Sequence, residues 1–288
     1  MIGFYNIIKP TGSSSAHVVS KVRRVTKQKR VGHLGTLDPA ASGVLTVAVG
    51  KATRFFDYFL NKDKQYYAIA EFGVKTDTLD SDGEVLINCP TKINKKAILD
   101  KLKSFTGEVE QVPPIYSAIN INGKRAYEIA RSGKDVQMPM RKVQIHSFKL
   151  VEQIDDNKFA FRVKCSSGTY IRSLLYDLAL SLGTVANIPV IIREESGQFN
   201  INDAVTLEDI ECDYENNLIP IENVFHYLKR VEINEKQYKK VINGVSAENI
   251  YSLNENEEFL GYINNKIFGL FVCNNNMISC KINLYEGE

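Results

Sequence analysis

The segment with the clearest capacity for chemistry surrounds one aspartate. Asp38 lies between Gly35 and Gly43, just ahead of an apolar run at residues 44–49. Pro39 disfavours helical backbone angles at Asp38 and so helps to fix its direction, and the glycines permit close approach of a ligand or another chain. A carboxylate held in this way can act as a nucleophile or stabilise developing positive charge. An Asp-Pro pair also occurs in plain turns, so the chemistry depends on what else the chain supplies.

The elements that must hold this aspartate are predicted from hydrophobic periodicity. Helices are predicted over residues 16–27, 95–105 and 171–182, the first with a basic face. Strands are predicted over residues 44–49, 66–72, 143–151 and 158–165, the last two as a hairpin. Because helices and strands do not alternate regularly, the fold class is α+β with a mixed, mostly antiparallel sheet flanked by helices.

Composition divides the chain into two parts near residue 228. Short β-like runs at 259–263, 267–273 and 277–284 predict a small β-rich domain over residues 229–288, after a large domain over residues 1–228. Within the large domain, residues 120–140 mix basic residues and glycines and are predicted to form a surface insertion.

Charge is unevenly distributed, although the net charge is only +2. Residues 1–64 contain eleven lysines and arginines and three acidic residues. Residues 201–288 contain seven lysines and arginines and fifteen acidic residues. A polyanion would be attracted to the first region and repelled by the last.

Several protein classes are not expected. No run approaches eighteen apolar residues, so no membrane span is predicted, and the N-terminus lacks the features of a secretory signal. The five cysteines are scattered and do not cluster with the four histidines, so neither a zinc site nor a disulfide framework is predicted. A reducing cytoplasmic location fits this cysteine usage.

Five sequence blocks, spread in order over roughly residues 3–199, carry a resemblance to one enzyme family. They are Lys9-Pro10-x-Gly12 with Ser14-Ser15, the loop Gly32-His33-Leu34-Gly35-Thr36-Leu37-Asp38-Pro39, Lys64-x-Tyr66 with Gly73-x-x-Thr76-Asp77-Thr78-x-Asp80, Pro113-Pro114-x-Tyr116-Ser117-Ala118, and Cys165-Ser166-x-Gly168-Thr169-Tyr170-Ile171-Arg172. The chain resembles the bacterial tRNA pseudouridine-55 synthases, the TruB family. A single block could arise by chance, but five in register are specific.

The resemblance implies the pseudouridine synthase fold with a small C-terminal PUA-like domain. It implies isomerisation of one uridine to pseudouridine at position 55 in the T-loop of tRNA. No atoms enter or leave in this reaction, so no cofactor and no metal are expected. The expected partner is the T-arm of tRNA, and nothing in the sequence demands more than a monomer.

The resemblance also assigns site residues. Asp38, Tyr66 and Arg172 match the catalytic aspartate, the tyrosine that packs on the target base, and the arginine that accompanies the carboxylate. His33 matches a histidine that fills the space left by the flipped base, and Tyr170 and Ile191 match positions lining the uracil pocket. Asp80 is a supporting carboxylate on this interpretation, although it also lies in a turn rich in acidic residues.

Phosphate contacts are predicted from basic residues of the N-terminal region and of the insertion. These are Lys9, Lys21, Arg23, Arg24, Lys29, Arg30, Lys64, Lys124, Arg125 and Arg131. Such contacts position an RNA without reading its sequence.

Three alternatives remain open from the sequence. They are a non-enzymatic RNA-binding protein or RNA chaperone on the same scaffold, a hydrolase with an aspartyl nucleophile, and a pseudouridine synthase that acts on another RNA. The chain also departs from the family where Ile192-Arg193 replaces a frequent Arg-Arg pair. That difference concerns RNA contacts or support of the site, not the reaction.

Overall fold

The computed structural model describes residues 1–121, 123–132 and 137–285, without the side chain of Arg131. Its strands are β1 Gly3–Lys9, β2 Val31–His33, β3 Ser42–Val49, β4 Lys64–Phe72, β5 Val74–Thr76, β6 Val85–Asn88, β7 Gly107–Gln111, β8 Asn120–Ile121, β9 Lys124–Arg125, β10 Arg141–Gln153, β11 Lys158–Cys165, β12 Ala186–Ser196, β13 Phe199–Asn200, β14 Lys229–Glu232, β15 Ala247–Glu248, β16 Glu258–Ile263, β17 Lys266–Asn274 and β18 Met277–Asn283. Its α-helices are α1 Ser15–Thr26, α2 Phe56–Leu60, α3 Lys95–Leu102, α4 Ala126–Arg131, α5 Ile171–Ser181, α6 Leu207–Cys212, α7 Ile221–Val224 and α8 Glu235–Val241.

A nine-stranded sheet organises the first part of the chain. Its order is β1-β3-β12-β4-β11-β10-β7, with β2 paired to β3 and β13 paired to β12. The β3–β12 pair is parallel and the other pairs are antiparallel. The predicted mixed, mostly antiparallel sheet is therefore confirmed, as is the hairpin of β10 and β11.

Helices α1, α3 and α5 cover one face of this sheet. Helix α1 begins where the Ser14 side chain accepts a hydrogen bond from the His17 backbone N–H, which satisfies one of the free donors of its first turn. Apolar side chains of the three helices, among them Val22, Ile98 and Leu175, are buried in one cluster with the sheet. Burial of such side chains contributes about 1.5–3 kcal/mol each, and this packing fixes where the helix ends lie.

Strand β12 was not predicted from the sequence, although it lies at the centre of the sheet. Pro189 interrupts its apolar run, and proline is unusual inside a sheet because it cannot donate a hydrogen bond. The register of β12 against β4 shifts between Asn187 and Val190, so Pro189 lies within an irregularity of the pairing. This irregularity lets a central strand contain a proline.

A second sheet, of order β14-β16-β17-β18-β15, forms the C-terminal part. The predicted β-rich composition is confirmed. Phe4, Phe55 and Phe225 pack in one cluster with Leu260 and Leu270 of the second sheet, so the two sheets share buried apolar contacts. The division at residue 228 stays a prediction. No helix in the described ranges is both long and apolar enough to cross a membrane.

Asp177 of α5 is a partly buried carboxyl whose effect on stability depends on pH. Burial raises its pKa from 3.8 to about 6, so the folded state binds this proton more tightly than the unfolded state. The burial of the charge therefore costs stability above pH 6, and that cost disappears as the pH falls through the interval from 6 to 3.8. A shift of this size corresponds to about 3 kcal/mol, which solvent screening at a half-buried site reduces to about 1 kcal/mol.

We therefore expect Asp177→Asn to stabilise the protein by about 1 kcal/mol at pH 7 and by much less at pH 4. Urea unfolding at the two pH values measures this difference. Asp100→Asn, a change at an exposed position of α3, is the matched control and should alter stability by less than about 0.5 kcal/mol at either pH. An equal effect of Asp177→Asn on stability at both pH values would contradict the raised pKa of Asp177.

Candidate active site

The loop that contains Asp38 is held by α1 and by the end of β1. The hydroxyl of Ser15 donates to the Leu37 carbonyl at 2.9 Å and accepts from the Leu37 backbone N–H at 2.9 Å. The backbone N–H of Gly12 donates to the Pro39 carbonyl at 2.9 Å. These contacts lie on both sides of Asp38, so its backbone is fixed before any substrate arrives.

Arg172 lies in the first turn of α5 and is 3% exposed. Its Nη2 donates to Asp38 Oδ2 at 2.5 Å and to the Tyr116 carbonyl at 3.0 Å. Its Nη1 donates to the Thr78 carbonyl at 2.8 Å and lies 3.2 Å from Asp80 Oδ2. One guanidinium therefore joins two carboxylates and two backbone segments, which a planar group with five donors can do and an ammonium cannot.

Asp80 is 6% exposed, which distinguishes it from a solvated turn residue. Its Oδ1 accepts from the Thr78 hydroxyl at 2.6 Å and from the Asp82 backbone N–H at 3.1 Å, while Oδ2 faces Arg172. The preceding residue, Leu79, has a φ of 63°. That left-handed conformation is uncommon for leucine and is held by the surrounding contacts. Asp80 thus belongs to the same charge network as Asp38.

A cleft opens beside Asp38 with about 430 Å³ of empty space, its open mouth included. Its lining residues are Thr36, Leu37, Asp38, Ala41, Tyr66, Thr169, Tyr170, Ile171, Arg172 and Ile191. The structure therefore brings five of the predicted site residues, Asp38, Tyr66, Tyr170, Arg172 and Ile191, to one cleft.

Tyr66 enters this cleft from β4. Burial raises the pKa of its hydroxyl, and the guanidinium of Arg193 opposes that rise by its charge and by hydrogen bonding. The hydroxyl is consequently protonated at neutral pH and can donate or relay a proton.

Tyr170 forms a wall of the cleft and is held through its backbone. Gln111, which is 1% exposed, donates to the Tyr170 carbonyl at 2.9 Å and accepts from its N–H at 2.8 Å. The guanidinium carbon of Arg141 lies 4.5 Å from the centre of the Tyr170 ring. Nε and Nη2 of Arg141 are buried without a hydrogen-bond partner among the described residues, so this cation retains donor capacity beside the cleft. Neither Gln111 nor Arg141 was singled out from the sequence.

His33 does not line the cleft. It lies on β2, and its Nδ1 is buried without a partner in the described part of the chain. Burial and the charge of Arg193 lower its pKa, so the neutral imidazole predominates at neutral pH. Its role toward a flipped base stays a prediction.

Two of the ten predicted phosphate-binding residues are buried, which corrects their assignment. Lys9 Nζ donates to the carbonyls of Pro10, Ser13 and Pro39 at 2.8, 2.6 and 3.3 Å. Lys64 Nζ donates to two carbonyls at 2.6 Å each. Burial lowers both pKa values to about 8. An ammonium has three donors, so Lys9 has none left for a phosphate, and its contact with Pro39 supports the Asp38 loop instead.

The other predicted phosphate contacts lie mainly at the surface. Arg23, Arg24, Lys29, Arg30, Lys124 and Arg125 are exposed. Lys21 is half-buried and pairs with Glu211 at 3.4 Å. The side chain of Arg131 lies outside the described residues, as does part of the 120–140 insertion. Over the ranges that the structure describes, no group of three or more His, Cys, Asp or Glu side chains is arranged to hold a metal ion.

The fold has close relatives among solved structures. It aligns with a chain from the crystal structure of a Cbf5-Nop10-Gar1 complex at a TM-score of 0.70 and 26% identity, covering 94% of this chain and 78% of that one. A chain from an H/ACA RNP bound to a substrate RNA containing 2′-deoxyuridine aligns at 0.71 over 98% of this chain and 85% of that one, with 22% identity. The mixed sheet that holds the Asp38–Arg172 cleft is thus the fold that this chain shares with these structures, and the matching family model assigns it to the pseudouridine synthases.

Sequence relatives narrow this class to a family. The N-terminal domain model of the TruB family of pseudouridylate synthases matches residues 23–171. The tRNA pseudouridine synthase B of Clostridium kluyveri is 40% identical over 98% of this chain and 96% of its own length, and that of Streptococcus sanguinis is 38% identical over 94% and 95%. The chain belongs to the TruB family.

Proposed function

We propose that this protein isomerises uridine to pseudouridine in tRNA, at position 55 of the T-loop. Its relatives along nearly the whole chain bear the name tRNA pseudouridine synthase B. The observation that carries the proposal is the joining of Asp38 to the buried Arg172 in a cleft that also contains Tyr66.

The reaction breaks the N1–C1′ bond of the uridine, turns the uracil within the site, and forms a C5–C1′ bond. The proton leaves C5 and N1 gains one, so the atoms balance without a co-reactant. Asp38 is the catalytic carboxylate in this proposal. It either attacks covalently or stabilises positive charge on the sugar and removes a sugar proton, and both routes use the same position of the carboxylate.

Arg172 and Asp80 prepare Asp38 for this role. The Arg172 guanidinium holds one oxygen of Asp38 in place and supplies the counter-charge that a partly buried carboxylate needs. Asp80 binds the other terminal nitrogen of the Arg172 guanidinium, so neither Arg172 nor Asp38 has to move during the reaction. Such preorganisation is a main source of electrostatic catalysis.

Tyr66, Tyr170 and Ile191 form the walls that receive the base. The target uracil must leave its stack to reach Asp38, which costs a few kcal/mol. Stacking on an aromatic ring returns about 1–3 kcal/mol per base. We assign the Tyr66 hydroxyl to handling the proton at C5 because Tyr66 lines the same cleft as Asp38.

The T-arm is the expected binding partner, and the exposed basic residues of α1 and of the insertion are its expected phosphate contacts. A monomer suffices for this proposal, since Asp38, Tyr66 and Arg172 come from one chain. A non-enzymatic RNA-binding protein on the same scaffold is less favoured, because such a protein has no need of an Asp38–Arg172–Asp80 network around a buried guanidinium.

The test uses the full chain and an unmodified tRNA transcript, with pseudouridine mapped by a base-specific chemical stop. We expect product at a single T-loop uridine, and also in an isolated T-arm stem-loop. Absence of product would contradict the enzyme assignment, whereas product at another position would change only the substrate.

A further inference from the structure

Arg193 of β12 is a buried cation without a carboxylate partner. It is 2% exposed and is among the largest fully buried side chains of the described residues. None of the ion pairs between those residues includes it. A buried charge costs several kcal/mol unless it is well hydrogen-bonded. The position of this residue therefore calls for a specific reason.

Three hydrogen bonds of Arg193 go to the segment that contains Asp38. Its Nε donates to the Val44 carbonyl at 2.7 Å, Nη1 to the Thr36 carbonyl at 3.0 Å and Nη2 to the Gly35 carbonyl at 3.2 Å. These carbonyls lie before and after Asp38 in sequence. One planar guanidinium thus holds both ends of the loop, which few other side chains could do.

The backbone of Arg193 connects the same loop to the strand of Tyr66. Strand β12 lies between β3 and β4, and Arg193 pairs with Gly43 on one side and with Tyr66 on the other. Gly43 has a φ of +102°, and a Cβ there would collide with the Arg193 backbone, so the close approach requires glycine. Residues directly opposite in an antiparallel pair project from the same face, which brings the guanidinium to the Tyr66 ring.

Resting on the proposed function, we infer that Arg193 is a positioning residue that holds the Asp38 loop and the Tyr66 hydroxyl in fixed geometry with one another. It acts through Asp38 and Tyr66, since it is not among the residues that line the cleft. The groups whose charges act on the pKa of Tyr66 include Arg193 from β12, Cys165 from β11 and Asp38 from the loop. Arg193 is the one cation among these three.

Arg193→Met and Arg193→Lys test this inference. Methionine keeps much of the volume but none of the donors, and lysine keeps the charge but cannot span carbonyls on both sides of Asp38. A displacement of about 1 Å in a catalytic group can lower a rate about 10²-fold. We expect the single-turnover rate on tRNA to fall about 100-fold with methionine and about 10-fold with lysine, while the Kd for tRNA changes less than about threefold.

Arg162→Met is the matched control. Arg162 lies on β11 of the same sheet, one strand beyond β4, and is exposed. It pairs with Glu194, the residue next to Arg193. This change removes an arginine from the same sheet without touching the Asp38 loop, so its single-turnover rate should stay within about twofold of wild type.

The outcomes separate the inference from the proposed function. An inactive wild-type protein would contradict the proposed function itself. If wild type is active and a folded Arg193 variant has the same single-turnover rate, the positioning role is overturned. A loss that appears in the Kd for tRNA and not in the single-turnover rate would overturn it as well. Circular dichroism establishes folding, and if methionine prevents folding then the lysine variant decides between these outcomes.

Discussion

Asp38→Asn is expected to lower the single-turnover rate of pseudouridine formation by about 10⁴-fold or more, to the limit of detection. Asparagine has nearly the same shape and still offers Arg172 an acceptor oxygen, so the loop and the cleft should persist. It cannot act as an anionic nucleophile or stabilise a cationic sugar, whichever route the reaction takes. Rates with excess enzyme over tRNA transcript measure this loss without interference from product release.

The affinity of the variant for tRNA is the control for this prediction. The Kd of Asp38→Asn for tRNA should stay within about threefold of wild type, because catalysis by this carboxylate is realised in the transition state and not in the bound ground state. Asp57→Asn, at an exposed position of α2, should be as active as wild type. Full activity of Asp38→Asn would remove Asp38 from the mechanism, whatever the substrate proves to be.

Arg172→Met should combine a loss of activity with a loss of stability. The change leaves Asp80, which is 6% exposed, and the partly buried Asp38 without their shared cation. Removing one partner of a buried ion pair typically costs about 3–5 kcal/mol, and the partial exposure of Asp38 places the expectation near 3 kcal/mol. We expect the rate to fall about 10³-fold because Asp38 loses both its fixed position and its counter-charge. Urea unfolding and single-turnover kinetics measure the two effects separately.

A second change at Asp80 tells these effects apart. In the Arg172→Met background, Asp80→Asn removes the unpaired buried charge, so about 1–2 kcal/mol of stability should return while activity does not. Arg172→Lys should restore part of the activity, because its ammonium can reach Asp38 but cannot also serve Asp80 and the carbonyls of Thr78 and Tyr116. Recovery of activity together with stability in the double variant would show that Arg172 serves the fold and not the chemistry.

Local patterns in the sequence were sufficient to predict the helices and strands whose formation depends on residues nearby in the chain. Helix α1 follows from its apolar spacing, and the hairpin of β10 and β11 follows from two apolar runs with a polar turn between them. The loop of Asp38 was identified in the same way, since Pro39 restricts the backbone at Asp38 and the flanking glycines permit close approach of another group.

Strand β12 could not be predicted because its stability comes from two neighbours far away in sequence. Its proline argues against a central strand on local grounds, yet pairing with β3 and β4 on either side outweighs that preference. From the sequence, Arg193 was noted only as part of the Ile192-Arg193 pair that stands where the family often has Arg-Arg. Its burial against three carbonyls became visible only with the fold.

The amino-acid sequence by itself determined the fold class, the family and the identity of the groups that meet in the cleft, because motif residues and hydrophobic periodicity are properties of the chain. Only the tertiary structure decided which cations face solvent and which face the interior. Lysine and arginine have the same charge in both places, and whether carbonyls or water surround them depends on segments distant in the chain. For that reason Lys9 proved to support the Asp38 loop and Arg193 proved to hydrogen-bond to it. The arginines of α1 are exposed, as their proposed contact with RNA phosphates requires.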